Sequence, residues 1–127
     1  MAWTGRAQGL AAAADEAPFG VVRVDPCDGQ GGVFRDSPIV VRLSHAVEAA
    51  TLPTGKLSVE DAAGPVPGRL LAAPDPRILI WRAERLLTAG TPHFVLASGF
   101  RDGRGRALRP HLSHFVPCDL SRGDFPG

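Results

Sequence analysis

The hydrophobic positions of this chain recur in short runs with a period of two. The stretch SPIVVRLSH (37–45) puts Val41 and Leu43 on one side and Arg42 and Ser44 on the other. KLSVEDAAG (56–64) sets Leu57 and Val59 against Ser58 and Glu60. Such alternation marks a half-buried β-strand, because successive side chains of an extended chain point to opposite faces. The same reading predicts strands within FGVVRVDP (19–26), RLLAAP (69–74), ILIW (78–81), HFVLASGF (93–100) and HLSHFVPC (111–118). Turn chemistry fills CDGQGGVFRD (27–36), DAAGPVPG (61–68), DPR (75–77) and RDGRGRALRP (101–110), where glycine and proline cluster. AVEAATLPTG (46–55) has room for one helical turn before Pro53 stops it, and RAERLLTAGTP (82–92) reads as a connector with at most another.

About seven short strands with turns between them predict an all-β antiparallel sandwich. Two facing sheets bury the inner side of each, whereas a single open sheet would leave an apolar face wet. The expected core is Val22, Val24, Val41, Leu43, Leu57, Val59, Leu70, Leu79, Trp81, Leu87, Phe94, Leu96 and Phe115. If Leu79 and Trp81 face inward, Ile78 and Ile80 face the other side of the sheet. Two isoleucines there are a candidate partner-facing patch or an edge for strand addition, unless a loop or the N-terminal leader covers them.

Composition narrows the class. A chain of 127 residues with 44% hydrophobic residues has the size and content of one globular domain. Its 14 basic and 13 acidic residues give a net charge of +1, so no electrostatic bias toward nucleic acid or an anionic membrane exists. No apolar run is long enough to span a membrane. The expected organisation is a flexible leader (1–18), a sandwich domain (19–118) and a frayed tail (119–127). The Ala-rich GLAAAA within the leader is a weak match to an export signal.

The order of turns and strands resembles bacterial Ig-like domains of the surface-layer type, the SbsA-like Ig-like domain. The resemblance rests on VVRVDPCDGQGGVFRDSPIVVRLSHAVEAATL, LSVEDAAGPVPGRL, ERLLTAGTPHFVLAS and GFRDGRGRAL, and it covers roughly residues 20–118. It departs from the family at Leu43 and His45, at His93-Phe94, at Gly105-Arg106 and at Cys27 and Cys118. The resemblance implies an Ig-like antiparallel β-sandwich and a noncatalytic module of an exported bacterial protein, whose partner is another protein or other domains of a larger assembly. No cofactor is implied.

Both cysteines sit in the tripeptide Pro-Cys-Asp. In Ig-like sandwiches the first and last strands often lie side by side and run the same way. The resemblance therefore implies that Cys27 and Cys118 are neighbours able to form a disulfide, which needs Cα atoms about 5–6 Å apart and an oxidising compartment such as the periplasm or cell surface. The alternatives are two reduced thiols or a share in a metal site, which two thiolates alone do not fill.

Other motifs carry less chemistry. His45, His93, His111 and His114 lack the HxxxH and HExxH spacings of metal sites, and His111 and His114 fall on opposite faces of one strand. Small periplasmic copper carriers share a similar sandwich, but they use a histidine at the mature N-terminus with further histidine or methionine ligands, whereas this sequence has no early histidine and Met1 is its sole methionine. Ser44-His45 are expected to point apart and not to pair. GFRDGRGR reads as a solvated hairpin turn, because no strand-to-helix transition follows it. Asp28, Asp36, Asp102 and the Glu60-Asp61 pair lie in loops without the DxDxDG pattern of a calcium site. Arg122-Gly123-Asp124 is a tripeptide common by chance. A carbohydrate-binding module would need a platform of exposed aromatics, and most of the eight aromatics here are required for core or tail.

Overall fold

The computed structural model describes residues 17–71 and 73–122; the expected leader 1–16 and residues 123–127 lie outside that range. Among the described residues nine strands form two sheets. They are β1 (Val21–Asp25), β2 (Gln30–Val33), β3 (Ile39–Leu43), β4 (Lys56–Asp61), β5 (Gly64–Pro65), β6 (Gly68–Leu71), β7 (Ile78–Ala83), β8 (His93–Ser98) and β9 (His111–Pro117). One sheet has the order β1-β3-β7-β6 and is antiparallel throughout. The other has the order β2-β9-β8-β4-β5, with β2 and β9 parallel and every other pair antiparallel. The fold class is therefore an all-β sandwich. Among the described residues the helical turn is a 3-10 turn at Ala49–Thr51, ahead of Pro53.

The alternating runs become strands for the expected reason. In β7, Leu79, Trp81 and Ala83 are buried while Ile78, Ile80 and Arg82 are half-buried on the other side. In β4, Leu57 and Val59 are buried and Lys56 and Glu60 are exposed. The inner faces of both sheets meet in one cluster that includes Ile39, Val41, Leu43, Leu79, Trp81, Val59 and Phe115. Phe19, Phe100 and Leu108, from outside the strands, close its ends.

Three expectations are corrected. First, CDGQGGVFRD is not all turn: Gln30–Val33 forms β2 along β9. Gly29 and Gly32 take left-handed φ values of 80° and 67°, and the register between β2 and β9 shifts between Gln30 and Val33. Glycine admits that irregular path without steric cost, and main-chain pairing asks nothing of the side chains. Second, β8 presents His93, Val95 and Ala97 to the core, not Phe94 and Leu96. HFVLA is apolar on both faces, so alternation alone did not fix its register. Third, Val22 is 64% exposed. The β1–β3 register shifts between Val21 and Arg23, and this bulge turns Val22 outward.

The tail is docked as far as Arg122. Arg35 N–H donates to Leu120 O (2.9 Å), and Arg122 N–H donates to both carboxylate oxygens of buried Asp36 (2.9 and 3.0 Å). The Arg122 guanidinium lies 5.3 Å from the centre of the Phe34 ring.

Gly68 is the tightest glycine in the four-stranded sheet. A Cβ there would run into the Trp81 ring and the Arg82 carbonyl. Gly68→Ala is therefore expected to lower unfolding stability by about 1–3 kcal/mol, read from the urea midpoint. An unchanged midpoint would show that Trp81 does not pack against β6.

Candidate functional site

Ile78 and Ile80 point away from the core, as the alternation of β7 requires, and both are half-buried. Ile80 stands between Val40 of β3 and Leu71 of β6 in register. These side chains form an aliphatic row across three strands of the outer face. Ile78 also borders a largely apolar cavity of about 420 Å³ whose lining includes Val47, Leu52, Leu70, Leu71 and Pro76. A shallow depression of about 530 Å³ lies at the opposite edge of the same face, lined by Val22, Arg23, Asp25, Val40 and Arg42. The outer face of the five-stranded sheet is mixed: Phe94 and Leu112 are exposed beside Lys56 and Glu60, and Phe94 tilts against His114 at 6.0 Å.

The cysteines do not pair. Cys27 and Cys118 are free thiols, the first exposed and the second half-buried. The strand that runs parallel beside β9 is β2, whereas β1 belongs to the other sheet. Cys27 precedes β2, and Cys118 follows β9, where its N–H donates to Val33 O (2.8 Å). The two sulfurs thus belong to opposite ends of one parallel pair. Gln30 is level with Phe115, so Cys118 lies on the order of 10 Å further along the strands, beyond the reach of a disulfide. The matching Pro-Cys-Asp settings do not mark adjacent strand exits, and the sulfurs give no support for an oxidising compartment.

The histidines are dispersed and differently engaged. His93 is fully buried, its ring stacked on Phe115 at 5.4 Å. Its Nδ1 lies 2.7 Å from Thr91 O, which fixes the proton on that nitrogen because a carbonyl only accepts. Its Nε2 faces Asp61 Oδ2 at 3.8 Å, too far for a hydrogen bond. Burial opposes ionisation of Asp61, but the Ala63 N–H, the Thr88 hydroxyl, the His93 ring nearby and the Arg85 guanidinium outweigh it and hold the carboxyl below its usual value. His114 pairs with Asp28 at 3.0 Å on the surface. Among the described residues no group of three or more His, Cys, Asp or Glu is placed to hold a metal ion.

Ser44 and His45 do pair, against expectation: Ser44 Oγ is 2.8 Å from His45 Nδ1. Both residues lie beyond the end of β3 at Leu43, so the strand rule that separates neighbours no longer applies. The same hydroxyl oxygen accepts from Gly20 N–H (3.0 Å) and reaches Pro18 O (3.3 Å). It thereby fastens the segment entering β1. Asp102 staples the 101–107 loop. Its carboxylate accepts from Arg104 N–H (3.0 Å), Arg106 N–H (2.8 Å) and Arg106 Nε (2.8 Å). Burial pushes the Asp102 carboxyl up, and these hydrogen bonds together with the Arg106 charge bring it below the ordinary range. Of the Arg-Gly-Asp tripeptide only Arg122 is described, and it is engaged with Asp36 and Phe34.

No protein-family model matches the chain, and no curated protein matches it in sequence. Solved structures do. Surface layer protein SbsC, domains 1–6, aligns at a TM-score of 0.66 and 16% identity over 87% of this chain and 15% of that one. CopC from Methylosinus trichosporium OB3b aligns at 0.66 and 19% identity over 79% of this chain and 93% of CopC. An L,D-transpeptidase from Mycobacterium smegmatis aligns at 0.55 and 18% identity over 80% of this chain and 41% of that protein. The fold is Ig-like. At these identities the likeness supports a related Ig-like fold and not the SbsA-like family in particular, and the chain spans about one seventh of the surface-layer protein's aligned chain.

The free cysteines yield a direct expectation. Native protein handled without reductant should give two titratable thiols per chain with Ellman's reagent, Cys27 reacting ahead of Cys118. A count of zero on the denatured, unreduced chain would restore the bridge.

Proposed function

We propose that this chain is a noncatalytic Ig-like module of an exported bacterial protein, acting as a structural or protein-interaction unit. The observation that carries this reading is the outer face of the four-stranded sheet. There Ile78, Ile80, Val40 and Leu71 form an aliphatic patch beside an apolar cavity, on strands fixed by antiparallel pairing. A surface of that kind suits a partner more than a reaction, because apolar area on a rigid sheet contributes affinity when it is covered. The likeness to a domain-sized part of a surface layer protein supports the same reading. So does the structural use of the Ser44 hydroxyl, which secures main chain at β1. Its partners are another protein or other domains of a larger assembly, and its setting is the periplasm or cell surface.

A second reading has a specific observation in its favour. The likeness to CopC, and to PcoC, a methionine rich copper resistance protein from Escherichia coli, extends over 93% and 99% of those proteins. A small copper-binding carrier is therefore the alternative. In this chain three of the four histidine side chains are turned to other tasks: His93 to Thr91 O and Phe115, His114 to Asp28, and His45 to Ser44.

Calorimetric titration with Cu(II) and Zn(II), together with a panel of ester, phosphate and glycoside substrates, separates the readings. The module reading expects no turnover above background and no metal binding at about micromolar affinity or tighter. Tight Cu(II) binding lost on His45→Ala or His111→Ala would install the carrier instead, and turnover well above background would remove both.

A further inference from the structure

The outer face of the four-stranded sheet also carries an arrangement of charge that the fold itself does not explain. Arg23 of β1 stands directly opposite Arg42 of β3, and Arg69 of β6 directly opposite Arg82 of β7. Like charges facing each other across an antiparallel pair repel. Other arginines in this chain are matched: Arg106 to Asp102, Arg85 to Asp61, Arg35 to Leu87 O and Arg101 to Gly105 O. Among the described residues the side chains of the four on this face make no hydrogen bond or ion pair, and three of these arginines are exposed.

Register sets their geometry. Arg42 is level with Ile78, and Arg82 lies four residues further along β7. At about 3.4 Å per residue the two cationic rows are ~13 Å apart. Midway between them runs the aliphatic row of Val40, Ile80 and Leu71, which ends on β1 at Asp25, level with Val40; that carboxylate disfavours an acidic residue over the middle row. The face therefore reads cation, aliphatic, cation along the strand direction.

We infer that this face docks an extended acidic segment of another protein, with carboxylates at positions i and i+4 and an aliphatic side chain at i+2. All three positions point to one side of an extended chain, and they match the two arginine rows and the row between them. Arginine pairs with carboxylate through two parallel hydrogen bonds. The aliphatic row selects a polypeptide over a simple polyanion, which would leave Val40 and Ile80 uncovered. The depression lined by Arg23, Asp25, Val40 and Arg42 gives the segment a place to seat. This inference rests on the reading of the chain as an interaction module, and it names that module's partner by chemistry.

The test uses the full chain and a fluorescein-labelled peptide built on repeats of Glu-Thr-Val-Thr-Glu, followed by anisotropy. Binding should be saturable and should weaken as NaCl is raised. It should also weaken by at least about tenfold for the Arg42→Glu/Arg82→Glu double variant. Val40→Ser/Ile80→Thr should lose binding with the charges intact, and a Glu-Thr-Thr-Thr-Glu peptide should bind weakly. The charge variant should melt no lower than the parent, because it removes two like-charge oppositions. A large drop in its melting temperature would assign the arginines to the fold and overturn the inference. Absence of peptide binding, or binding of phosphatidylglycerol vesicles in its place, would overturn it as well. Those outcomes leave the metal and turnover assays untouched, so failure of the partner assignment is distinguishable from failure of the module reading.

Discussion

A strand in a two-layer sandwich has two faces, and only one of them can enter the core. That constraint governs the rest of this molecule. Once Leu79 and Trp81 are placed inside, Ile78, Ile80 and Arg82 are outside. Once Ile39, Val41 and Leu43 are inside, Val40 and Arg42 are outside. The core side is closed by apolar packing of aliphatic and aromatic rings between the sheets. The outward side is free of that demand, and what stands there is the part of the chain available for function. Polar side chains hold the main chain of three loops: Asp102 that of the 101–107 turn, Ser44 that of the entry to β1, and Asp36 that of the segment after β9.

Where the pattern of apolar and polar residues was unambiguous, the strand and its orientation could be read directly. β4 and the second half of β3 are of this kind, since arginine, serine or glutamate interrupts the aliphatics at every second place. In β8, where both faces are apolar, the reading failed. HFVLA offers a large side chain to either side, and the inward choice of His93 follows from contacts remote in sequence: the Phe115 ring and the Thr91 carbonyl. No local rule places a histidine in a core ahead of phenylalanine. β2 was missed because glycine reads as turn, while the strand is defined by main-chain bonds to β9.

The same omission misplaced the sulfurs. The first strand was expected beside the last, but β1 belongs to the other sheet; the parallel neighbour of β9 is β2, which begins after Cys27. Of the candidate surface, the outward turn of Ile78 and Ile80 followed from the alternation once Leu79 and Trp81 were placed inside. The arginine pairs beside them were not, because their opposition depends on cross-strand register, and a sequence does not display register between strands far apart in the chain. An aliphatic row flanked by cations emerges only when β1, β3, β7 and β6 are set side by side.

The register of β8 is the sharpest point at which this account departs from the sequence pattern, so it offers the most direct measurement. Phe94→Asp and Val95→Asp place the same charge at adjacent positions. With Phe94 outside and Val95 2% exposed, thermal unfolding followed by circular dichroism should show a melting temperature within a few degrees of the parent for Phe94→Asp. It should show no cooperative transition for Val95→Asp, because an unpaired carboxylate in the core costs several kcal/mol. The opposite result, with Phe94→Asp unfolded and Val95→Asp tolerated, would mean that β8 presents its other face to the core and that the architecture described here is wrong at its centre.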